Sequence, residues 1–332
     1  MKTAVQEELH QPIAIKDLPI PQPQAGELCI ELKASALNHR DVWVQKGKYP
    51  GMNLPCTLGS DGAGVVVSAG SESEENWLGK EVVINPGMNW GDNEAVAGKG
   101  FEILGMPRNG TFSEFIVMPV EYVHEKPAHL SFEEAAALPL AGVTAYRAMF
   151  TKAGLTKDKR VLITGIGGGV ALTALVFAKA LGCEIYVTSG SDVKLQRAKE
   201  LGANGGINYK EEKWAKSLSK SAGLFDVVID GAGGEGFSGL IDASNLAANL
   251  VIYGGTAGNI GGILPAKIFF KQVNIMGSTM GSPTDFKNML ALVNTHKISP
   301  VIDEVMPLDN AEDALRKMEA GKQFGKIVLK HN

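Results

Sequence analysis

Over the first third of the chain the hydrophobic positions come in short runs punctuated by Pro and Gly. Glu27 to Ala34, Gly62 to Ser68, Glu81 to Asn85 and Thr111 to Met118 each set a few apolar residues between turn formers, which predicts strands. Long polar loops separate some of these runs, notably Gly87 to Gly110. A compact, irregular β-barrel or sandwich up to about residue 124 follows. At Ser131 the texture changes. Ser131-Phe132-Glu133-Glu134 fits a capping box, and the Ala-rich stretch after it predicts a helix toward Gly154.

From Arg160 apolar strands and helices alternate. Val161 to Thr164 is followed by Val170 to Leu181, ended by Gly182; Glu184 to Ser189 is followed by Val193 to Leu201, ended by Gly202. Ile207 to Tyr209, a helix through Lys220, Phe225 to Asp230, a helix near Phe237 to Leu246 and Leu250 to Tyr253 continue the series. Continuous apolar strands alternating with helices predict a parallel sheet covered on both faces. After Lys271 come a strand (Val273 to Met276), helices near Asp285 to Thr295 and Ala311 to Ala320, and a last apolar run, Lys326 to Lys330. That run predicts a strand returning to the first domain, which makes the first domain discontinuous. The chain then divides into residues 1–124 with 272–332, and 125–271, as expected at a length where single cores stop growing.

Composition narrows the function classes. Hydrophobic residues are 45% and charged residues 20%, the balance of a globular protein. Lys and Arg (32) are outnumbered by Asp and Glu (36), so no basic surplus exists to neutralise nucleic acid or an anionic membrane. No apolar stretch reaches bilayer-spanning length and the N-terminus turns acidic after Gln6, which predicts a cytoplasmic protein. Cys29, Cys56 and Cys183 are far apart in apolar runs and read as buried thiols, neither a disulfide framework nor a metal cluster.

The glycines carry the candidate chemistry. Gly165, Gly167, Gly168 and Gly169 lie between the apolar run Val161 to Thr164 and the helix opening at Val170. Such a turn is either merely flexible or brings its backbone, and the N–H groups of the helix N-terminus, against a pyrophosphate. The strict G-x-G-x-x-G spacing fails at Val170, but the setting within a strand and helix series predicts dinucleotide binding. The end of the next strand discriminates between coenzymes. A carboxylate there binds a ribose 2′-hydroxyl, whereas Ser189, Ser191 and Lys194 suit a 2′-phosphate. Arg197 reads better as a solvated helix residue. Gly231-Ala232, Tyr253-Gly254-Gly255-Thr256 and Ser278-Thr279-Met280 follow strands at their carboxyl ends, the edge at which open α/β sheets bind ligands.

Ala36-Leu37-Asn38-His39-Arg40-Asp41 with Gly47-Lys48-Tyr49-Pro50, Leu58 to Val66, Leu138 to Tyr146 and Phe324-Gly325-Lys326-Ile327-Val328-Leu329 together resemble motifs of the medium-chain dehydrogenase/reductase superfamily, in order along essentially the whole chain. Within it the chain most resembles the zinc-independent quinone oxidoreductase and alcohol dehydrogenase-like branch. The resemblance implies a Rossmann doubly wound α/β domain binding NADP(H) beside a discontinuous GroES-like β-barrel catalytic domain, in a homodimer. It also implies coenzyme contacts for His39 (pyrophosphate), Thr144 (nicotinamide side) and Tyr209 (adenosine phosphate). Zinc-dependent members hold the metal through a Cys, a His-Glu pair and a later ligand. Asn38 and Ser60-Asp61 stand at the matching positions here, and Gly87 to Gly110 lacks the cysteines of a structural zinc lobe. No metal is expected.

Without a Lewis acid the reaction must be one in which hydrogen-bond donors stabilise the oxygen that gains charge: hydride transfer to a small quinone, enone or reactive carbonyl. Asn38 and Tyr49 are the candidate catalytic groups. Their plainer readings are an Asn turn at a strand end and a surface aromatic beside Pro50. Asp41 reads as holding the loop, and Phe269-Phe270 as core and subunit packing. Two other functions stand beside this one: an NADPH-binding module without turnover, and a zinc-dependent alcohol dehydrogenase.

Overall fold

The run Lys326–Lys330 does return to the N-terminal part of the chain. It pairs antiparallel with Glu27–Ala36, Val328 opposite Ala36 and Lys330 opposite Ala34, and parallel with Ile302–Pro307. The computed structural model describes residues 1–331 and divides into two units, Met1–Leu140 together with the chain from Ser282 onward, and Ala141–Gly281.

These limits differ from a division at 124/125 and 271/272. The helix Phe132–Ala136 packs on the strands Glu27–Ala36, Asp61–Ala69 and Lys326–Lys330, so its segment belongs to the first unit. Asn274–Gly277 pairs parallel with Ser244–Ile252, so that strand belongs to the second.

The first unit is built on a sheet ordered Val123–Glu125, Glu81–Ile84, Asp61–Ala69, Glu27–Ala36, Lys326–Lys330 and Ile302–Pro307, with Phe115–Pro119 also paired to Glu27–Ala36. Lys2–Gln6 forms a smaller sheet with Ala14–Asp17 and Cys56–Thr57. One core cluster gathers Leu37, Leu58, Phe112, Leu315, Ile327 and Leu329; another gathers Leu28, Ile30, Leu32, Val66, Val82 and Ile84. The capping box forms as expected: Glu134 N–H donates to Ser131 Oγ and Ser131 N–H to Glu134 Oε2. The helix it starts stops at Ala136. Pro139 lacks an N–H and excludes helical geometry from the residue before it, so the chain restarts as Pro139–Tyr146 and widens into π-helical turns over Arg147–Lys152.

The second unit is a six-stranded parallel sheet ordered Gly205–Asn208, Glu184–Ser189, Arg160–Ile163, Phe225–Asp230, Ser244–Ile252 and Asn274–Gly277. In sequence terms this is 3-2-1-4-5-6, the doubly wound order, and the direction of winding reverses between Arg160–Ile163 and Phe225–Asp230. Leu162, Phe225, Val228, Phe237, Ile241 and Leu250 form its core. The helix expected to reach Leu246 ends at Ala243. From Ser244 the chain is drawn into pairing with Phe225, with an irregularity before the regular register resumes at Asn249 opposite Val227. Among the described residues no helix is long and apolar enough to cross a membrane. Cys29, Cys56 and Cys183 are all buried free thiols.

Candidate functional site

In the second unit the turn after Arg160–Ile163 has the backbone that only glycine adopts without strain: φ is +62° at Gly165 and +121° at Gly167. Nothing lies within 4 Å of where a Cβ on Gly165 would stand, so the backbone there is open to a ligand. Gly168 caps the helix Gly169–Leu181, whose first N–H groups have no partner within the helix. Val170 is the first residue to follow Gly169 in that helix. At Gly167 a Cβ would come 2.8 Å from Lys194 Cδ and 3.2 Å from its Nζ, so the lysine side chain lies across the turn.

Lys194 is placed by the helix Asp192–Leu201, capped by Ser191, whose Oγ accepts from Lys194 N–H at 3.4 Å. Ser189 is buried at the end of Glu184–Ser189, and its Oγ accepts from Ser191 N–H at 3.3 Å. Tyr209 N–H donates to Ser189 O, and its phenol oxygen would be 2.6 Å from a Cβ on Gly190. Gly167, Ser189, Ser191, Lys194 and Tyr209 therefore fall together. The nearest acid in the chain, Asp192, accepts from Asn208 Nδ2 at 2.9 Å.

A second group forms at the carboxyl ends of the next strands. Asp230, buried, accepts from Thr164 Oγ1 and from the N–H groups of Ala232 (3.2 Å) and Gly233 (2.9 Å), which shapes the loop after its strand. Nothing in the local pattern marks it beyond its place as last residue of an apolar run. Tyr253 packs its hydroxyl against Gly231, where a Cβ would be 2.5 Å away, and burial beside Asp230 pushes its phenol above the ordinary range. Thr256 N–H and Oγ1 both donate to Gly231 O at 3.3 Å, and Gly254 packs against the same carbonyl. Gly255 is exposed. Ser278 N–H donates to Ile252 O, its own buried Oγ has no partner among the described residues, and Thr279 is exposed. Thr144, buried, points its Oγ1 at Met280 Sδ, 3.9 Å away.

In the first unit Asn38 precedes the helix His39–Gln45. Its N–H donates to Asp41 Oδ2 at 2.8 Å, so Asp41 does hold this loop. Burial pushes the Asp41 carboxyl up to about 6 against the pull of neighbouring Arg40. The Asn38 side chain is not free for a ligand as a whole: Nδ2 donates to Asp61 Oδ2 (2.9 Å) and Oδ1 accepts from Lys326 Nζ (2.7 Å). Lys326 Nζ also donates to Asp61 Oδ2 (2.8 Å), and Leu140 N–H to Asp61 Oδ1 (2.8 Å). Arg40 spends its guanidinium on Ser60 Oγ, Leu104 O and Met106 O, and lies 4.7 Å over the ring of Tyr49. Tyr49 thus packs half-buried between this cation and the apolar cluster around Leu37. His39 is exposed at the start of its helix.

These residues do not fit a zinc ion. Asn38 and Asp61 already enclose an ammonium, Ser60 serves Arg40, and none of the three offers a thiolate or imidazole. Burial pushes the Cys56 thiol, on the neighbouring strand Cys56–Thr57, up to about 11. Among the described residues no group of three or more His, Cys, Asp or Glu side chains is arranged to hold a metal.

Two family models match the chain: an alcohol dehydrogenase GroES-like domain over residues 24–128 and a zinc-binding dehydrogenase domain over residues 169–295. A zinc-type alcohol dehydrogenase-like protein, YogA, of Leptosphaeria maculans is 36% identical, over 97% of this chain and 95% of its own length. A chloroplast envelope quinone oxidoreductase homolog of Arabidopsis thaliana is 30% identical, over 94% and 92%. The crystal structure of an NAD-dependent alcohol dehydrogenase superposes with a TM-score of 0.93 at 38% identity, covering 99% of both chains.

Proposed function

The chain belongs to the medium-chain dehydrogenase/reductase superfamily, and on that premise we propose that it is a zinc-independent, NADPH-dependent oxidoreductase acting on a quinone, enone or reactive carbonyl. The observation that carries this reading is Lys326, whose ammonium donates to the oxygens of Asn38 and Asp61 where zinc-dependent members place metal ligands.

The coenzyme assignment rests on the second unit. Gly165 and the N-terminus of Gly169–Leu181 would cradle the pyrophosphate, while Lys194, Ser191 and Tyr209, which fall together, would receive a ribose 2′-phosphate. The loops at Gly231 and Gly254 would approach the nicotinamide. When bound, the reduced nicotinamide supplies a hydride to the substrate. The chain's own part is to fix the substrate and steady the charge that develops on its oxygen.

Three buried thiols suit a reducing compartment such as the cytoplasm. The open edge strand Asn274–Gly277, with Ile275 half-exposed, and the exposed Phe269 and Phe270 suit pairing with a second copy of the chain.

Coenzyme oxidation followed with benzoquinone, 2-cyclohexen-1-one and benzaldehyde, using NADPH and NADH in parallel, tests the reading, together with elemental analysis of protein purified without added metal. Turnover with NADPH and substoichiometric zinc is expected. Stoichiometric zinc, a clear preference for NADH, or tight coenzyme binding without turnover of any of the three would overturn it.

A further inference from the structure

An ammonium withdrawn from water is costly unless its hydrogens are used. Only 4% of the Lys326 side chain and none of that of Asp61 is exposed. Two of the three Lys326 N–H donors reach Asn38 Oδ1 and Asp61 Oδ2; no protein acceptor serves the third among the described residues. The Asn38 amide likewise gives one hydrogen to Asp61 and keeps a second. Both oxygens of Asp61 are engaged, Oδ1 by Leu140 N–H and Oδ2 by Lys326 and Asn38. Each oxygen of the cluster therefore already has a partner, while N–H donors are left over. A group so built is short of one partner, an oxygen, and an oxygen that carries negative charge satisfies it best.

We propose that Lys326 is the fixed cation of the reduction site, held by Asn38 and Asp61 so that its remaining N–H binds the substrate oxygen that gains charge. The inference rests on the reductase reading given above. As the substrate carbon accepts the hydride and its electron pair, the π electrons of the carbonyl, or of the conjugated C=C–C=O system, move onto oxygen. Lys326 stabilises that oxygen through a charge-assisted hydrogen bond and keeps its own proton; one proton from solvent completes the product. The side chain thereby takes over, with a single positive charge and no open coordination sphere, the charge stabilisation a metal would give. Small carbonyl, enone and quinone oxygens fit this donor, whereas a neutral alcohol gains less from it.

The double variant K326M/D61N removes both charges at once, so no buried ion is left without its partner and folding is preserved, as checked by thermal unfolding. The probe is 4-nitrophenolate, whose absorbance moves when its oxygen accepts a hydrogen bond, titrated in the presence of NADP+ at a pH where it is fully ionised. The wild type is expected to bind the probe with a spectral shift, the double variant to show none, and both to bind NADPH alike. With 2-cyclohexen-1-one, kcat should fall about 100-fold in the variant, the scale of losing one oxyanion donor, while KM for NADPH stays put. No shift in the wild type, an equal shift in both proteins, or a kcat within about threefold of wild type would overturn the role of Lys326. A wild type that reduces none of the substrates brings down the reductase reading instead, and the phenolate titration still decides the lysine.

Discussion

Lys326 and Asp61, 265 residues apart in the chain, meet at 2.8 Å with almost none of either side chain exposed. Desolvating two ions consumes most of what their attraction returns, so such a pair is a poor source of net stability, while removing one partner strands the other. Asp61→Asn should destabilise the first unit by about 3–5 kcal/mol. K326M/D61N, which leaves no lone charge, should recover most of that loss. Urea unfolding of the wild type, both single variants and the double variant checks it. Additivity of the single effects within about 0.5 kcal/mol would mean that the pair is not energetically coupled.

Lys194 lies across Gly167 next to Ser191. A charge-assisted hydrogen bond to a phosphate is worth about 1.5–3 kcal/mol, so Lys194→Ala should weaken NADPH binding about 10- to 100-fold and leave NADH nearly untouched. Ser189→Asp should go further and reverse the preference, since a carboxylate there repels a 2′-phosphate and accepts from a 2′-hydroxyl. Fluorescence titration with both coenzymes measures the two effects. Equal losses for NADPH and NADH in Lys194→Ala would place the lysine elsewhere than at the extra phosphate.

Gly167 is constrained twice, by φ of +121° and by the Lys194 chain standing 2.8 Å from any Cβ. Gly167→Ala should cost about 1–3 kcal/mol of stability from backbone strain and weaken both coenzymes together, because it moves the turn that both share. Calorimetry and coenzyme titration separate this from the NADPH-selective effect at Lys194.

Much of this was legible because it is local. The Ser131 to Glu134 capping box, the glycine turn and the apolar strands from Arg160 each declare themselves within a dozen residues. The strand Ile302–Pro307 does not, because Asp303, Glu304 and Pro307 interrupt its apolar pattern; it is held at the edge of its sheet by the register with Lys326–Lys330. Asn38 was visible as a replaced ligand, but the lysine that engages it comes from the other end of the chain, and no spacing rule connects positions 38, 61 and 326. Topology alone brings them together, through Lys326–Lys330 pairing beside Glu27–Ala36.

His331 gives the fold a dependence on acid. Its ring is buried, with Nε2 2.9 Å from Ser35 Oγ, and burial, aided by the charge of Lys33, pushes its pKa down to about 4. In the unfolded chain the same group titrates near about 6.5. Between these values the unfolded state binds a proton that the folded state refuses, so falling pH favours unfolding, and the loss runs from pH 6.5 down to about 4. Its ceiling is on the order of 3 kcal/mol. Asp41 works in the opposite sense: its folded pKa of about 6 means that the folded state takes up its proton first as pH falls, which offsets part of the loss. The wild-type curve alone therefore mixes the two. Comparing it with His331→Gln, which keeps a polar group beside Ser35 and leaves Asp41 alone, isolates the histidine. Unfolding free energies measured in urea at intervals across that range should fall more steeply for the wild type than for the variant and run parallel above neutrality. Parallel curves throughout would show that His331 is protonated as readily in the folded protein as in the unfolded chain.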